Sequence, residues 1–247
     1  MHTVLLKFSV LWIVFSSPLL FSANIGLLIT ATGQYISFVD PLIESAEEYF
    51  CKGHQITYFV FTDTEMDSRD NVIYLFQPRF GWPFDTMLRG QGYYQHHEML
   101  ASQDYLFACD ADMLFVGDIG DEILGERVAT MHPGFVGQRG SYEENATSTA
   151  YVSAHEGIHY FAGGFYGGTT NEVLNIVSTI NEHVYKDLAN GFIAEWHDES
   201  HWNRYCIDHP PTIVLSADYC MQEPRYIPGK SKLLALEKDH AALRLQE

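Results

Sequence analysis

Two short, almost uninterrupted apolar runs, Asn24 to Thr30 (NIGLLIT) and Gln55 to Thr62 (QITYFVFT), flank a segment with helical apolar spacing, Pro41 to Phe50 (PLIESAEEYF). Continuous apolar runs of this length suit strands covered on both faces, and parallel neighbours need a crossover between them. The order predicts a parallel, right-handed βαβ unit, with Pro41 in the first turn of its helix, and hence an α/β protein. Ligands of such sheets bind beyond the carboxyl ends of the strands, here over the ATGQY loop that follows the first run. That loop is neither a Walker loop nor a G-x-G-x-x-G fingerprint, so P-loop and dinucleotide chemistry are disfavoured.

The next apolar run carries a different signal. Residues 104 to 118 read DYLFACDADMLFVGD: Tyr105 to Cys109 look like another buried strand, and Asp110 and Asp112 interrupt it where it should end. Burying two unpaired carboxylates is very costly, so a cation is expected between them. Residues i and i+2 of an extended segment point the same way, and magnesium or manganese would take both sets of oxygens. Dehalogenase-type phosphatases also carry D-x-D after a strand. Their pair lies on the first strand and precedes a small or hydroxyl residue, whereas this one lies near the middle of the sequence and precedes Met113.

The chain has 247 residues, 47% hydrophobic and 19% charged, which is enough for a sizeable core in one domain. Its net charge of -18 argues against nucleic acid and against a polybasic membrane patch. A polyphosphate ligand would need a metal and a few well-placed basic residues. Cys51, Cys109, Cys206 and Cys220 form no C-x-x-C pair and read as core thiols, with a Cys206–Cys220 bridge as the oxidising-compartment alternative. Asn145-Ala-Thr147 is a glycosylation sequon. Phe8 to Ala23 (FSVLWIVFSSPLLFSA) is uncharged and apolar, short for a spanning helix and about right for a signal or short anchor. Residues 1–23 are therefore set apart as a membrane-associating segment, with 24–247 as the folded domain. The alternative is a cytoplasmic protein whose true start lies near Ile25.

Further along, Pro83 to Leu100 and Asn171 to Leu188 read as helices, and Ile119 to Leu124 as a turn with a short helix. HYFAGGFYGG (159 to 168) reads structurally as a tight turn between strands, or functionally as a place where glycine lets a sugar approach between aromatic faces. WHDESHWNRY (196 to 205) places two adjacent acids beside two indoles, which suggests a carbohydrate site, against the plainer reading of a solvated helix start rich in capping acids. His197 and His201 are four apart, yet a zinc protease would need Glu where this sequence has Asp198.

Taken in order, the D-x-D pair at 110 to 112, HPGF (132 to 135), GGFYGG (163 to 168), WHDESHWN (196 to 203) and HPPTIVLS (209 to 216) resemble glycosyltransferase family 6. That family comprises retaining α-1,3 enzymes and includes the histo-blood group A and B transferases. The resemblance covers about Ile25 to Arg244. It implies a GT-A fold, a single Rossmann-like nucleotide-sugar-binding α/β domain with a mixed central sheet. It also implies hexosyl transfer from UDP-GalNAc, or UDP-galactose as second choice, to a galactoside, in the manner of a fucosylated one.

By position, the resemblance assigns Thr30, Ala31, Thr32 and Tyr35 to the uridine pocket, Arg89 to the donor, and Asp110 and Asp112 to manganese (or magnesium) against the diphosphate. Many bacterial relatives carry asparagines there and work without metal; this sequence keeps both aspartates. Glu199 becomes the candidate nucleophile, or the group that orients the acceptor. Asp198 would bind donor hydroxyls, and His132 and Trp196 the acceptor. Ala162, Gly163 and Gly164 would set donor choice, their small size leaving room for an N-acetyl group. Lys238, His240 and Arg244 would close over the diphosphate. The loop from Tyr142 to Ala150 departs from the vertebrate enzymes and leaves the acceptor open. Two other readings remain beside this one, a sugar-binding protein of the same fold without turnover and a metal-dependent phosphatase; the latter lacks an acid nucleophile in ATGQY.

Overall fold

The computed structural model describes residues 22–239 and Leu243. The apolar segment expected to associate with a membrane, apart from its last two residues, lies outside them, as do His240 and Arg244. No helix among the described residues is long and apolar enough to cross a membrane.

The expected βαβ unit is present: β1 (Asn24–Thr30), α1 (Val39–Tyr49) and β2 (Gln55–Thr62), with β1 and β2 parallel. Strand β1 is central because it can be covered on both faces. Ile25, Leu27 and Ile29 pack with Val39, Leu42, Ile43 and Ala46 of α1, while Leu28 faces the opposite core. Burial of each aliphatic side chain contributes roughly 1.5–3 kcal/mol to holding the helix on the sheet.

Strand β3 (Val72–Phe76) extends the sheet beyond β2. The region expected as one helix from Pro83 to Leu100 is broken into α2 (Phe84–Met87), α3 (Arg89–Gln95) and α4 (His97–Leu100). The interruptions fall at Leu88 and His96, whose backbones leave helical geometry. Gly90 and Gly92 lower helix propensity between them. The break at Leu88 starts α3 at Arg89.

Strand β4 (Tyr105–Asp110) pairs parallel with β1, and β5 (Met113–Phe115) follows. Asp121–Ile123 forms the expected short helical turn, and β6 (Arg127–Met131) comes next. The glycine-rich segment is not a tight turn: Phe161–Thr169 forms β7, antiparallel to both β4 and β6. Glycine here permits close strand approach; a Cβ on Gly167 would stand 2.3 Å from Phe107 Cδ1 and 2.4 Å from Leu106 O. The β6–β7 register jumps between Tyr166 and Phe161, so the Gly163–Gly164 pair sits at a bulge.

The helices α5 (Thr170–Ala189) and α6 (His197–Asp208) cover the second face. Strand β8 (Ile213–Leu215) completes a seven-stranded mixed sheet in the order β3-β2-β1-β4-β7-β6-β8. A smaller sheet joins β5 to β9 (Met221–Gln222) and β10 (Leu233–Ala235) in the order β5-β10-β9. This is the mixed α/β arrangement of a GT-A fold. The small sheet also matters for the site: Leu236 N–H donates to Asp112 O at 2.9 Å and brings the carboxyl-terminal tail to the end of β4.

Candidate active site

Strands β1 and β4 end side by side, and a cavity of about 260 Å³ opens over them. Thr30, Thr32 and Tyr35 line its β1 side, and Asp110, Asp112 and Lys238 its β4 side. Arg79, Trp82, Asp85 and Thr86, from the segment leading into α2 and from α2 itself, complete the wall with Arg89. The side chains of Ala31 and Ala162 pack in the hydrophobic core beside this cavity.

Asp110 and Asp112 do face one cavity, but the counter-charge that their burial demanded comes from the protein itself. Arg89 Nη1 donates to Asp110 Oδ1 at 2.6 Å, and Lys238 Nζ forms an ion pair with Asp112. Arg89 also donates through Nε to Asp198 Oδ2 at 2.6 Å and through Nη2 to Gly163 O at 3.3 Å. One buried guanidinium thus joins the end of β4, the bulge of β7 and the start of α6. Burial pushes the Asp198 carboxyl up while Arg89 pulls it down, and the two acids hold Arg89 protonated.

Among the described residues no cluster of three or more His, Cys, Asp or Glu could hold a metal unaided. Two carboxylates on one cavity are nevertheless the donor set from which magnesium or manganese binds when water and substrate phosphates supply the rest. The residues present fit such an ion.

Helix α6 begins by a left-handed residue, His197, at φ 54°. That turn sends consecutive acids in different directions, Asp198 to Arg89 and Glu199 to β7. Gly163 N–H donates to Glu199 Oε2 at 2.7 Å, and Tyr160 O–H donates to Oε1 at 2.9 Å. Both bonds favour the carboxylate, but burial outweighs them and pushes Glu199 up to about 7, with Asp198 and Asp110 adding in the same direction.

The bulge glycines lie between the two acid pairs. A Cβ on Gly163 would meet Glu199 Cβ at 3.3 Å and Arg89 Nη2 at 3.4 Å, and one on Gly164 would meet Asp110 Oδ2 at 3.1 Å. Their smallness therefore answers first to packing between carboxylates.

His132 and Trp196 differ in setting. His132 Nδ1 accepts from Gly134 N–H at 3.1 Å, its ring stands edge-on to Tyr160 at 5.7 Å, and burial lowers its pKa. Trp196 is 47% exposed just before α6, with its backbone N–H donated to Ser200 Oγ at 2.9 Å. The second indole is no sugar platform: Trp202 is buried and stacks on Tyr166 at 4.6 Å. Nor is α6 a solvated helix start, because Asp198, Ser200, His201 and Asn203 are all buried. The four cysteines are free; Cys206 and Cys220 lie in separate hydrophobic clusters, which removes the expected alternative of a bridge.

Several lining residues escaped sequence reasoning. Arg79 and Trp82 lie in QPRFGWP, whose Pro and Gly marked a loop that could carry ligand contacts. Tyr160 was visible only as one aromatic among several in HYFAGGFYGG.

The family model for Glycosyltransferase family 6 matches residues 17–244. The chain belongs to glycosyltransferase family 6. Among curated relatives of this family-6 protein, histo-blood group ABO system transferase 1 of Rattus norvegicus is 35% identical over 240 residues, covering 90% of this chain and 69% of the relative. Globoside alpha-1,3-N-acetylgalactosaminyltransferase 1 of Homo sapiens is 34% identical over 237 residues, covering 90% and 68%. Alpha-1,3-galactosyltransferase 2 of Homo sapiens is 27% identical over 241 residues, covering 90% and 70%. The family-6 protein is thereby a glycosyltransferase of hexosyltransferase type.

Proposed function

We propose that residues 24–247 form the catalytic domain of a retaining α-1,3-glycosyltransferase that moves GalNAc, or alternatively galactose, from its UDP-sugar to a galactoside, with a fucosylated galactoside as the first acceptor to test. The observation that carries this reading is one cavity at the strand ends, bordered by Asp110, Asp112, Arg89 and Lys238, with Glu199 held just across the Gly163–Gly164 bulge. A protein of net charge -18 must concentrate positive charge locally to accept a diphosphate. Arg79, Arg89 and Lys238 gather on one cavity, where Asp85, Asp110 and Asp112 balance them and a divalent ion would tip the balance positive. The relatives' names, which specify α-1,3 transfer of N-acetylgalactosamine or galactose, support the choice of sugars.

In this reading Thr30, Thr32 and Tyr35 receive the nucleoside, while Asp110 and Asp112 would hold manganese or magnesium. The ion, when bound, neutralises charge developing on the departing UDP. Lys238 and Arg89 exchange part of their pairing with the aspartates for contact with phosphate oxygens. Asp198, fixed by Arg89, faces the donor sugar. Glu199, ionised, stabilises the positive charge at the anomeric carbon or attacks it, while His132 and Trp196 bound the acceptor side. The wall formed by Arg79, Trp82 and the tail limits water, which favours transfer over hydrolysis. The apolar amino-terminal segment would bring this domain to a membrane.

The test is incubation with several UDP-sugars and manganese, with and without a fucosylated galactoside, following UDP release and product. Acceptor-dependent product carrying GalNAc or galactose is expected. Donor hydrolysis alone, phosphate release from simple esters, or binding without turnover would each overturn the transferase reading.

A further inference from the structure

Glu199 is held from two sides by groups of different kinds. Gly163 N–H belongs to the β7 backbone and cannot be withdrawn without unmaking the bulge. The other donor is the phenol O–H of Tyr160, which lies just before β7 and is fully buried. Its ring is caged: Phe135 stands 5.0 Å away, Tyr142 5.2 Å and His132 5.7 Å, each edge-on. On another flank the backbone at Gly140 comes so close that a Cβ there would lie 2.3 Å from Tyr160 Cβ. A ring so confined fixes the direction of its hydroxyl.

We infer that Tyr160 is the positioning residue for Glu199, fixing the plane of its carboxylate and linking it mechanically to the acceptor-side ring cluster that contains His132. This deepens the transferase reading above and rests on it for its meaning in catalysis, but the link itself is physical. The remaining charged or titratable neighbours act differently. Asp198 and Asp110 oppose ionisation of Glu199 by like charge, Arg89 is already engaged with both of them, and Cys220 is a buried thiol. Burial, then the Glu199 carboxylate itself, and after them Glu195 and Tyr142 raise the Tyr160 pKa, so the phenol stays protonated and donates to Glu199. Removing that donor leaves Glu199 Oε1 without its side-chain bond and disfavours the carboxylate form.

The experiment follows Glu199 directly, by isotope-edited infrared or carbon NMR of labelled glutamate carboxyls, with Glu199→Gln assigning the signal. Wild type is compared with Tyr160→Phe, which keeps the ring, and with a ring-fluorinated tyrosine at 160, whose hydroxyl is the stronger donor. Titration of Glu199 is expected to move to higher pH in Tyr160→Phe and to lower pH with the fluorinated ring. In the transfer assay, kcat at neutral pH is expected to fall roughly 10- to 100-fold in Tyr160→Phe and to recover as pH rises, with KM for the donor unchanged. Unmoved carboxyl titrations would overturn the inference whatever the assay shows. A normal titration shift in a protein that transfers no sugar would instead overturn the transferase reading and leave the link standing. Should Tyr160→Phe fail to fold, the fluorinated variant decides alone.

Discussion

The site contains two acid pairs, and they are built on opposite plans. Asp110 closes strand β4 and Asp112 lies in the turn after it, and both face one cavity, where each meets a cation, Arg89 or Lys238. Asp198 and Glu199 are consecutive at the start of a helix, so they diverge: the first joins the Arg89 network and the second receives only neutral donors. Paired charge in a cavity suits the holding of an ion and a diphosphate. A carboxylate pushed up to about 7 without a cation suits a group whose ionisation matters at the reacting carbon.

The sharpest way to break this comparison is at Glu199. Glu199→Gln keeps the shape and removes the charge; its amide oxygen can still accept from Gly163 N–H, while its NH2 would face Tyr160 Oη, which must then accept. A loss of about 10²- to 10⁴-fold in kcat is expected, with UDP affinity by calorimetry nearly unchanged. A variant that retained more than a tenth of wild-type kcat would remove Glu199 from the chemistry.

Next in size is the other pair. Asp112→Ala removes one proposed metal ligand and the carboxylate that Lys238 pairs with, and turnover should become insensitive to manganese at about 10²- to 10³-fold lower rate. Undiminished, manganese-responsive activity would contradict the assignment of Asp112.

The pH dependence sharpens the contrast with opposite signs. Because the folded pKa of Glu199, about 7, lies above its ordinary 4.5, its protonated form stabilises the fold at low pH, and that contribution is lost as pH rises through about 7. Activity should rise over the same interval as the carboxylate appears. Melting temperature and kcat measured together from about pH 5 to 8 should therefore move in opposite directions, and Glu199→Gln should flatten both slopes. Parallel movement would show that another group governs the limb.

The smallest effect is expected at the bulge. Gly164→Ala would place a methyl 3.1 Å from Asp110 Oδ2, a contact that a small shift relieves. A stability loss of about 1 kcal/mol by denaturant unfolding is expected, with a several-fold rise in the manganese concentration needed for half-maximal rate. No change in metal response would separate the bulge from the aspartates.

Different residues were legible in the sequence for different reasons. Strand β1 was plain from its short unbroken apolar run, helix α1 from its apolar spacing, and Asp110 and Asp112 because charge is conspicuous inside an apolar run. The path of 159–168 was not, since glycine signals a turn locally and becomes strand only when β4 and β6 close on it from either side. The region from Pro83 to Leu100 misled for the converse reason: it reads as one helix despite Gly90 and Gly92, while its breaks place Arg89 beneath three elements far apart in sequence. Trp202 looked like a sugar platform because an indole next to acids gives no hint of which face is buried. The pairing of Lys238 with Asp112 depends on a small sheet formed by β5 and β10, separated by more than a hundred residues. The Tyr160 contact to Glu199 likewise spans 39 positions.

The most direct test of the account is manganese binding, read by electron paramagnetic resonance, to the wild-type protein and to Asp112→Ala, each with and without UDP. Joint coordination by two aspartates and a diphosphate predicts weak manganese binding to the protein alone, marked tightening when UDP is added, and loss of that tightening in the variant. Manganese that binds Asp112→Ala and wild type equally, or UDP that binds the wild type with no dependence on manganese, would contradict it.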